Sequence, residues 1–104
     1  MVERKGVDPN ALKEADKAYK KGEAAIKTGL FKWSPDHLAA SMYFEKAAKG
    51  FKTCGERERA MDAFLKWSAS CEDQNENYGA AEGLVEAAFL EKNRKKSLEY
   101  LHRA

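Results

Sequence analysis

Two cysteines, two prolines and two histidines are all that this 104-residue chain has of the residue types that build disulfides, break helices and ligate metals. Cys54 and Cys71 alone cannot form a disulfide framework, and the chain reads as one for a reducing, cytoplasmic setting. Both prolines, Pro9 and Pro35, stand where a helix would start, so nothing interrupts a helix interior. His37 and His102 have no cysteine, histidine or acidic partner at metal-ligand spacing. No glycine-rich phosphate loop is present. No apolar run reaches membrane-spanning length, and no signal peptide is visible. Nothing alternates with the period of a strand. The net charge is only +2, which does not favour nucleic acid as a partner. Lysine pairs such as Lys20-Lys21 and Lys95-Lys96 read as solvated helix faces. The carboxylate pairs Glu56/Glu58 and Glu82/Glu86 read the same way. The expectation is a non-enzyme without cofactor or metal.

What the chain does have is helix-forming residues, alanine, lysine and glutamate above all. Residues 1–7 carry charge without periodicity and are expected to fray; residues 8–104 form one helical domain. Asp8-Pro9 opens a helix to about Lys27, with Leu12, Ala15, Tyr19, Gly22 and Ile26 on one stripe. Gly22 fits there if another helix approaches closely. Ser34-Pro35 opens the second helix, to about Thr53. Its main stripe is Ala40, Phe44, Ala47, Ala48 and Phe51, widened by Leu38, Met42 and Tyr43. Thr53-Cys54-Gly55 ends it, leaving Cys54 in a turn and open to solvent. The third helix, about Glu56 to Glu72, carries Ala60, Ala63, Phe64, Trp67 and Cys71. Trp67 reads as core rather than as a ligand-stacking ring. Asp73 and Glu76 have capping-box spacing. The fourth helix, about Glu76 to Glu91, carries Ala80, Ala81, Leu84, Val85, Ala88 and Phe89. Asn93 offers a stop and a new cap, and a fifth segment, Arg94 to Arg103, shows Leu98 and Leu101.

Breaks recur about every twenty residues, so paired helices repeat about every forty. Ala40-x-x-Tyr43-x-x-x-Ala47 is echoed by Ser97-x-x-Tyr100-x-x-x-Ala104. Alanines let successive helices pack closely, with Phe44, Phe51, Phe64, Trp67 and Phe89 between layers. Each large side chain fully buried contributes about 1.5–3 kcal/mol. The fold class expected is all-α: a tetratricopeptide-like α-solenoid of about five antiparallel helices.

The connector Thr28-Gly29-Leu30-Phe31-Lys32-Trp33 places three large apolar side chains where a loop is usually polar. Two readings are open on physical grounds. In one, the loop tucks under the first hairpin, with Trp33 as a hydrophobic staple ahead of Ser34. In the other, Leu30, Phe31 and Trp33 face outward and enter a membrane interface, while Lys20, Lys21, Lys27 and Lys32 meet lipid phosphates. Such insertion is weak and reversible, so stable attachment needs a second contact.

Lys27-Thr28-Gly29-Leu30-Phe31-Lys32-Trp33-Ser34-Pro35-Asp36 resembles the first interhelical loop of the soluble NSF attachment protein family, in its gamma branch. The likeness continues through Ala39-Ala40-Ser41-x-Tyr43-x-x-Lys46-Ala47-Ala48-x-x-Phe51-Lys52 and, more loosely, Ala80-Ala81-Glu82-x-x-x-Glu86-Ala87-Ala88. It spans about residues 10–104. The resemblance implies an adaptor for vesicle trafficking and membrane fusion, cytoplasmic and peripheral to the membrane. Such an adaptor lies along a SNARE complex of syntaxin type and recruits the NSF ATPase that disassembles it. It assigns membrane contact to Leu30, Phe31, Lys32 and Trp33, and makes Lys49 and Lys52 candidates for SNARE contact. Family members are much longer, and their C-terminal ATPase-engaging region has no counterpart in these residues. The expectations are that this stretch alone does not activate NSF, and that the open face of its last two helices self-associates. A generic tetratricopeptide-like scaffold holding a peptide in its groove is the alternative.

Overall fold

The computed structural model describes residues 9–27, 36–91 and 94–103. These form α1 (Pro9–Ile26), α2 (His37–Thr53), α3 (Arg57–Asp73), α4 (Asn77–Leu90) and α5 (Arg94–Arg103). Among the described residues there is no strand. The expected fraying of residues 1–7, the Ser34-Pro35 start and the role of Asn93 fall outside the described residues.

Each helix packs on the one before it, from α1·α2 through α4·α5. The array measures 50 × 34 × 19 Å, and its smallest dimension is about two helix diameters. α1 and α3 occupy one layer, α2 and α4 the other. This is the expected all-α array of antiparallel helical hairpins.

The turns explain the regularity. At the end of α2, Gly55 takes φ 79°, the Glu56 amide donates to the Phe51 carbonyl at 2.9 Å, and the Gly55 amide donates to Lys52 at 3.1 Å. At the end of α3, Asn75 takes φ 60°, the Glu76 amide donates to Cys71 at 2.8 Å, and the Asn75 amide donates to Glu72 at 3.0 Å. These are two Schellman turns in one register, 51–56 and 71–76, each closed by a left-handed residue. Glycine has no steric penalty there, and asparagine has little. The next helices begin at once. Glu76 caps α4 by accepting hydrogen bonds from the amides of Tyr78 and Gly79. Asp73 ends α3 instead of forming the expected capping box.

Residue positions inside the helices follow the same interval. Ala40 and Ala60 are buried, as are Phe44, Phe64 and Leu84 at the next level, and Ala47, Trp67 and Ala87 above them. Gly22 meets the neighbouring helix as its spacing required: a Cβ there would lie 2.8 Å from the Phe44 ring. Gly83 is held tighter, since a Cβ would stand 2.6 Å from the Phe64 carbonyl oxygen.

Three expectations about burial are corrected. Phe89 is 79% exposed. α4 meets the rest of the array along Gly79, Gly83, Leu84, Ala87 and Ala88, small residues that permit close approach, so Phe89 lies off the seam. Leu38 and Met42 are also exposed, because α2 buries Ala40, Ser41, Phe44, Ala47, Ala48 and Phe51. Cys54 is buried: the reversal at Gly55 keeps this C-cap residue on the inner side of the turn.

Candidate functional site

Leu30, Phe31, Lys32 and Trp33 fall outside the described residues. The two ends of that connector are within them. The Asp36 amide donates to the Ala25 carbonyl at 2.8 Å, so the chain leaves α1 and enters α2 at one place on the edge of the array. α2 starts at His37, where the Asp36 carboxylate accepts the Ala39 amide at 3.0 Å and serves as the cap.

The surroundings of this edge are electrically divided. On the α1 side, Lys13, Lys17, Lys20, Lys21 and Lys27 are exposed. Lys20 stands 3.3 Å from Asp16, and the Lys21 ammonium lies 5.7 Å from the Tyr43 ring centre. On the α3–α4 side, the turn presents Glu72, Asp73 and Glu76, all exposed. That turn reaches the start of α2 directly: the Gln74 side-chain Nε2 donates to the His37 carbonyl at 3.2 Å, and His37 Nδ1 is 3.5 Å from Asp73.

Lys49 and Lys52 point outward from α2, each already beside a carboxylate. Lys49 Nζ is 2.7 Å from Glu45, and this hydrogen bond is the main reason its pKa is raised, against a smaller opposing effect of burial. The same ammonium lies 5.8 Å from the Trp67 ring centre. Lys52 Nζ is 2.9 Å from Glu86 on α4 and joins the two helices of that layer. Exposed pairs of this kind contribute about 0–1 kcal/mol, so both lysines can exchange partners.

The opposite layer holds a feature that sequence reasoning missed. Side chains of α1 and α3 meet across a groove of about 420 Å³ lined by Asp16, Tyr19, Lys20, Glu23, Phe51, Glu58, Arg59 and Asp62. Phe51 of α2 is its floor, 1% exposed. The Tyr19 hydroxyl donates to the Asp62 carboxylate, and Arg59 reaches Asp16 at 2.6 Å. The Arg59 guanidinium lies 4.3 Å from the Phe51 ring centre, close enough for a cation–π contact. Burial, followed by the bond to Asp62, raises the Tyr19 pKa, so its hydroxyl stays a donor. Both links span 43 residues of sequence. Helical periodicity puts Asp16, Arg59 and Asp62 on polar faces but carries no signal for their pairing.

The Cys71 thiol is buried and pushed up to about 11, first by burial and then by Glu76. Among the described residues, no three His, Cys, Asp or Glu side chains are placed to hold a metal ion. No described helix is long and apolar enough to cross a membrane.

No protein-family model matches the chain. It is 29% identical over 90 residues to the gamma-soluble NSF attachment protein of Dictyostelium discoideum, and 34% identical over 77 residues to that of Arabidopsis thaliana. The matches take in 86% and 74% of this chain but 28% and 26% of those proteins. The chain therefore spans about a quarter of the length of the curated relatives it matches.

Proposed function

We propose that the chain is a relative of the soluble NSF attachment proteins and part of a trafficking adaptor that grips a SNARE complex, touches membrane and, in its full-length context, serves NSF. The observation that carries this reading is the sequence kinship across most of the chain, joined to an all-helical array. Leu30, Phe31, Lys32 and Trp33 are the membrane-contacting tip. Their apolar side chains enter the interfacial region while lysines stay with lipid phosphates. The lysines on the α1 side of the edge favour an approach on that side, and the acidic turn at 72–76 disfavours the other. Lys49 and Lys52 contribute to the SNARE-facing surface by exchanging Glu45 and Glu86 for carboxylates of the bundle.

Co-sedimentation with vesicles containing phosphatidylserine tests the membrane half. Leu30→Ser with Phe31→Ser is expected to remove binding and leave the melting temperature unchanged. Unchanged lipid binding, or a collapse of the melting temperature, would overturn the assignment. Capture of an assembled SNARE bundle, with Lys49→Glu and Lys52→Glu as the variant pair, tests the other half.

A second reading, a scaffold that holds a peptide, is favoured by one observation: the aromatic-floored groove between α1 and α3.

A further inference from the structure

We infer that the groove between α1 and α3 is a docking site for a basic side chain, arginine or lysine, presented by an extended peptide segment of a partner protein. This deepens the peptide-scaffold reading, and the residues that test it, Glu23 and Glu58, take no part in the membrane and SNARE contacts.

Three observations carry it. The first is shape: about 420 Å³ lies in the range of sites that enclose a side chain with its flanking backbone. The second is charge. Asp16, Glu23, Glu58 and Asp62 line the groove against two cations, Lys20 and Arg59. Both cations are drawn to one carboxylate, Asp16, at 3.3 and 2.6 Å. Asp62 accepts the Tyr19 hydroxyl. That leaves Glu23, half-buried on α1, and Glu58, exposed on α3, facing the opening from opposite walls. The third is an internal example of the recognition itself. Arg59 stacks 4.3 Å from the Phe51 ring centre while its guanidinium bonds a carboxylate of the opposite helix. A second cation entering beside it finds a comparable pairing, Glu23 and Glu58 with the Tyr19 ring, where it displaces the Lys66 ammonium that lies 5.9 Å from that ring centre. Tyr19 is fixed for this role by edge contact with Phe44, ring centres 5.5 Å apart, and by its bond to Asp62. The carboxylates are not gathered closely enough to hold a metal ion. The geometry therefore suits an extended organic cation, bound by charge-assisted hydrogen bonds along a wall and by a ring face.

The test uses the 104-residue chain and a fluorescein-labelled peptide of alternating arginine and glycine, with its glutamate-for-arginine counterpart as control. Fluorescence polarisation is expected to show saturable binding of the arginine peptide alone. Glu23→Gln with Glu58→Gln should weaken it at least tenfold, and Glu72→Gln, on the distant acidic turn, should leave it within twofold. Amide NMR shifts on titration should cluster at Tyr19, Glu23, Glu58 and Asp62. Absence of saturable binding overturns the proposal, as does equal affinity in the double variant, equal loss in Glu72→Gln, or shifts centred on residues 72–76. Both variants change exposed or half-exposed side chains, and an unchanged melting temperature separates a lost site from a lost fold. The vesicle and SNARE assays are insensitive to Glu23 and Glu58, so failure here leaves the adaptor reading standing, and the reverse also holds.

Discussion

The two flanks of the array are built differently. The outer face of α1 is lysine-rich: Lys13, Lys17, Lys20 and Lys21 are exposed, with large apolar side chains kept to the inner stripe. The α4–α5 flank exposes Phe89, Leu98 and Leu101. In a repeat array each unit is stabilised by its neighbours, and an outermost unit stays soluble only if its outward face is polar. The outer face of α1 has the polar character that water requires. The α4–α5 flank has the composition of an internal surface, one suited to another helical layer or to a second copy of itself.

The most severe way to break this contrast is to remove what both flanks lean on. Phe64→Ala, in the middle of the array, should cost about 3–5 kcal/mol and melt both flanks together, as read by circular dichroism against denaturant. Loss of α4–α5 signal alone would show that the flanks fold independently. A smaller cost separates the two sides. Gly83→Val pushes a side chain into the Phe64 carbonyl and should cost about 1–3 kcal/mol, with hydrogen exchange rising in α4 and α5 before α1.

Smaller again in stability, but decisive for association, is Phe89→Glu with Leu98→Glu. These exposed positions should change stability by no more than about 0.5 kcal/mol. Sedimentation of the unaltered chain at high concentration should show dimer that the variant lacks; a monomeric parent chain would remove the claim that this flank is adhesive. Lys13→Gln with Lys17→Gln should alter neither association nor, beyond the same small limit, stability.

The mildest effect is an alkaline one. The folded Cys71 thiol has its pKa raised from 9.0 to about 11, so the fold favours the protonated form. Its contribution is fully present below about pH 9 and is lost as pH rises through about 11. Tyr19 acts with the same sign at still higher pH. Denaturant midpoints between pH 8 and 11 should fall less steeply in Cys71→Ala than in the parent chain.

Much of the architecture was legible because helix signals are local. Pro9 and the left-handed breaks at Gly55 and Asn75 mark helix ends through backbone geometry that neighbours do not alter. Burial was less legible. The stripe through Ala81, Val85 and Phe89 looks as good as the one through Gly79, Gly83 and Ala87 when judged by hydrophobicity. The second is the one buried, because close helix approach selects for small size rather than for apolar character. The groove was not legible at all: Asp16, Arg59 and Asp62 are ordinary surface residues, and Tyr19 one more member of an apolar stripe, until α2 brings α1 and α3 together.

Helix count, order and turn positions follow from the sequence by itself, since capping, φ preference and the spacing of small residues act within one turn of chain. Which faces stay wet, and which carboxylates share a groove with an aromatic ring, was decided only in three dimensions. Those outcomes depend on the distance between helices two apart in the array, and no periodicity within a single helix encodes that distance.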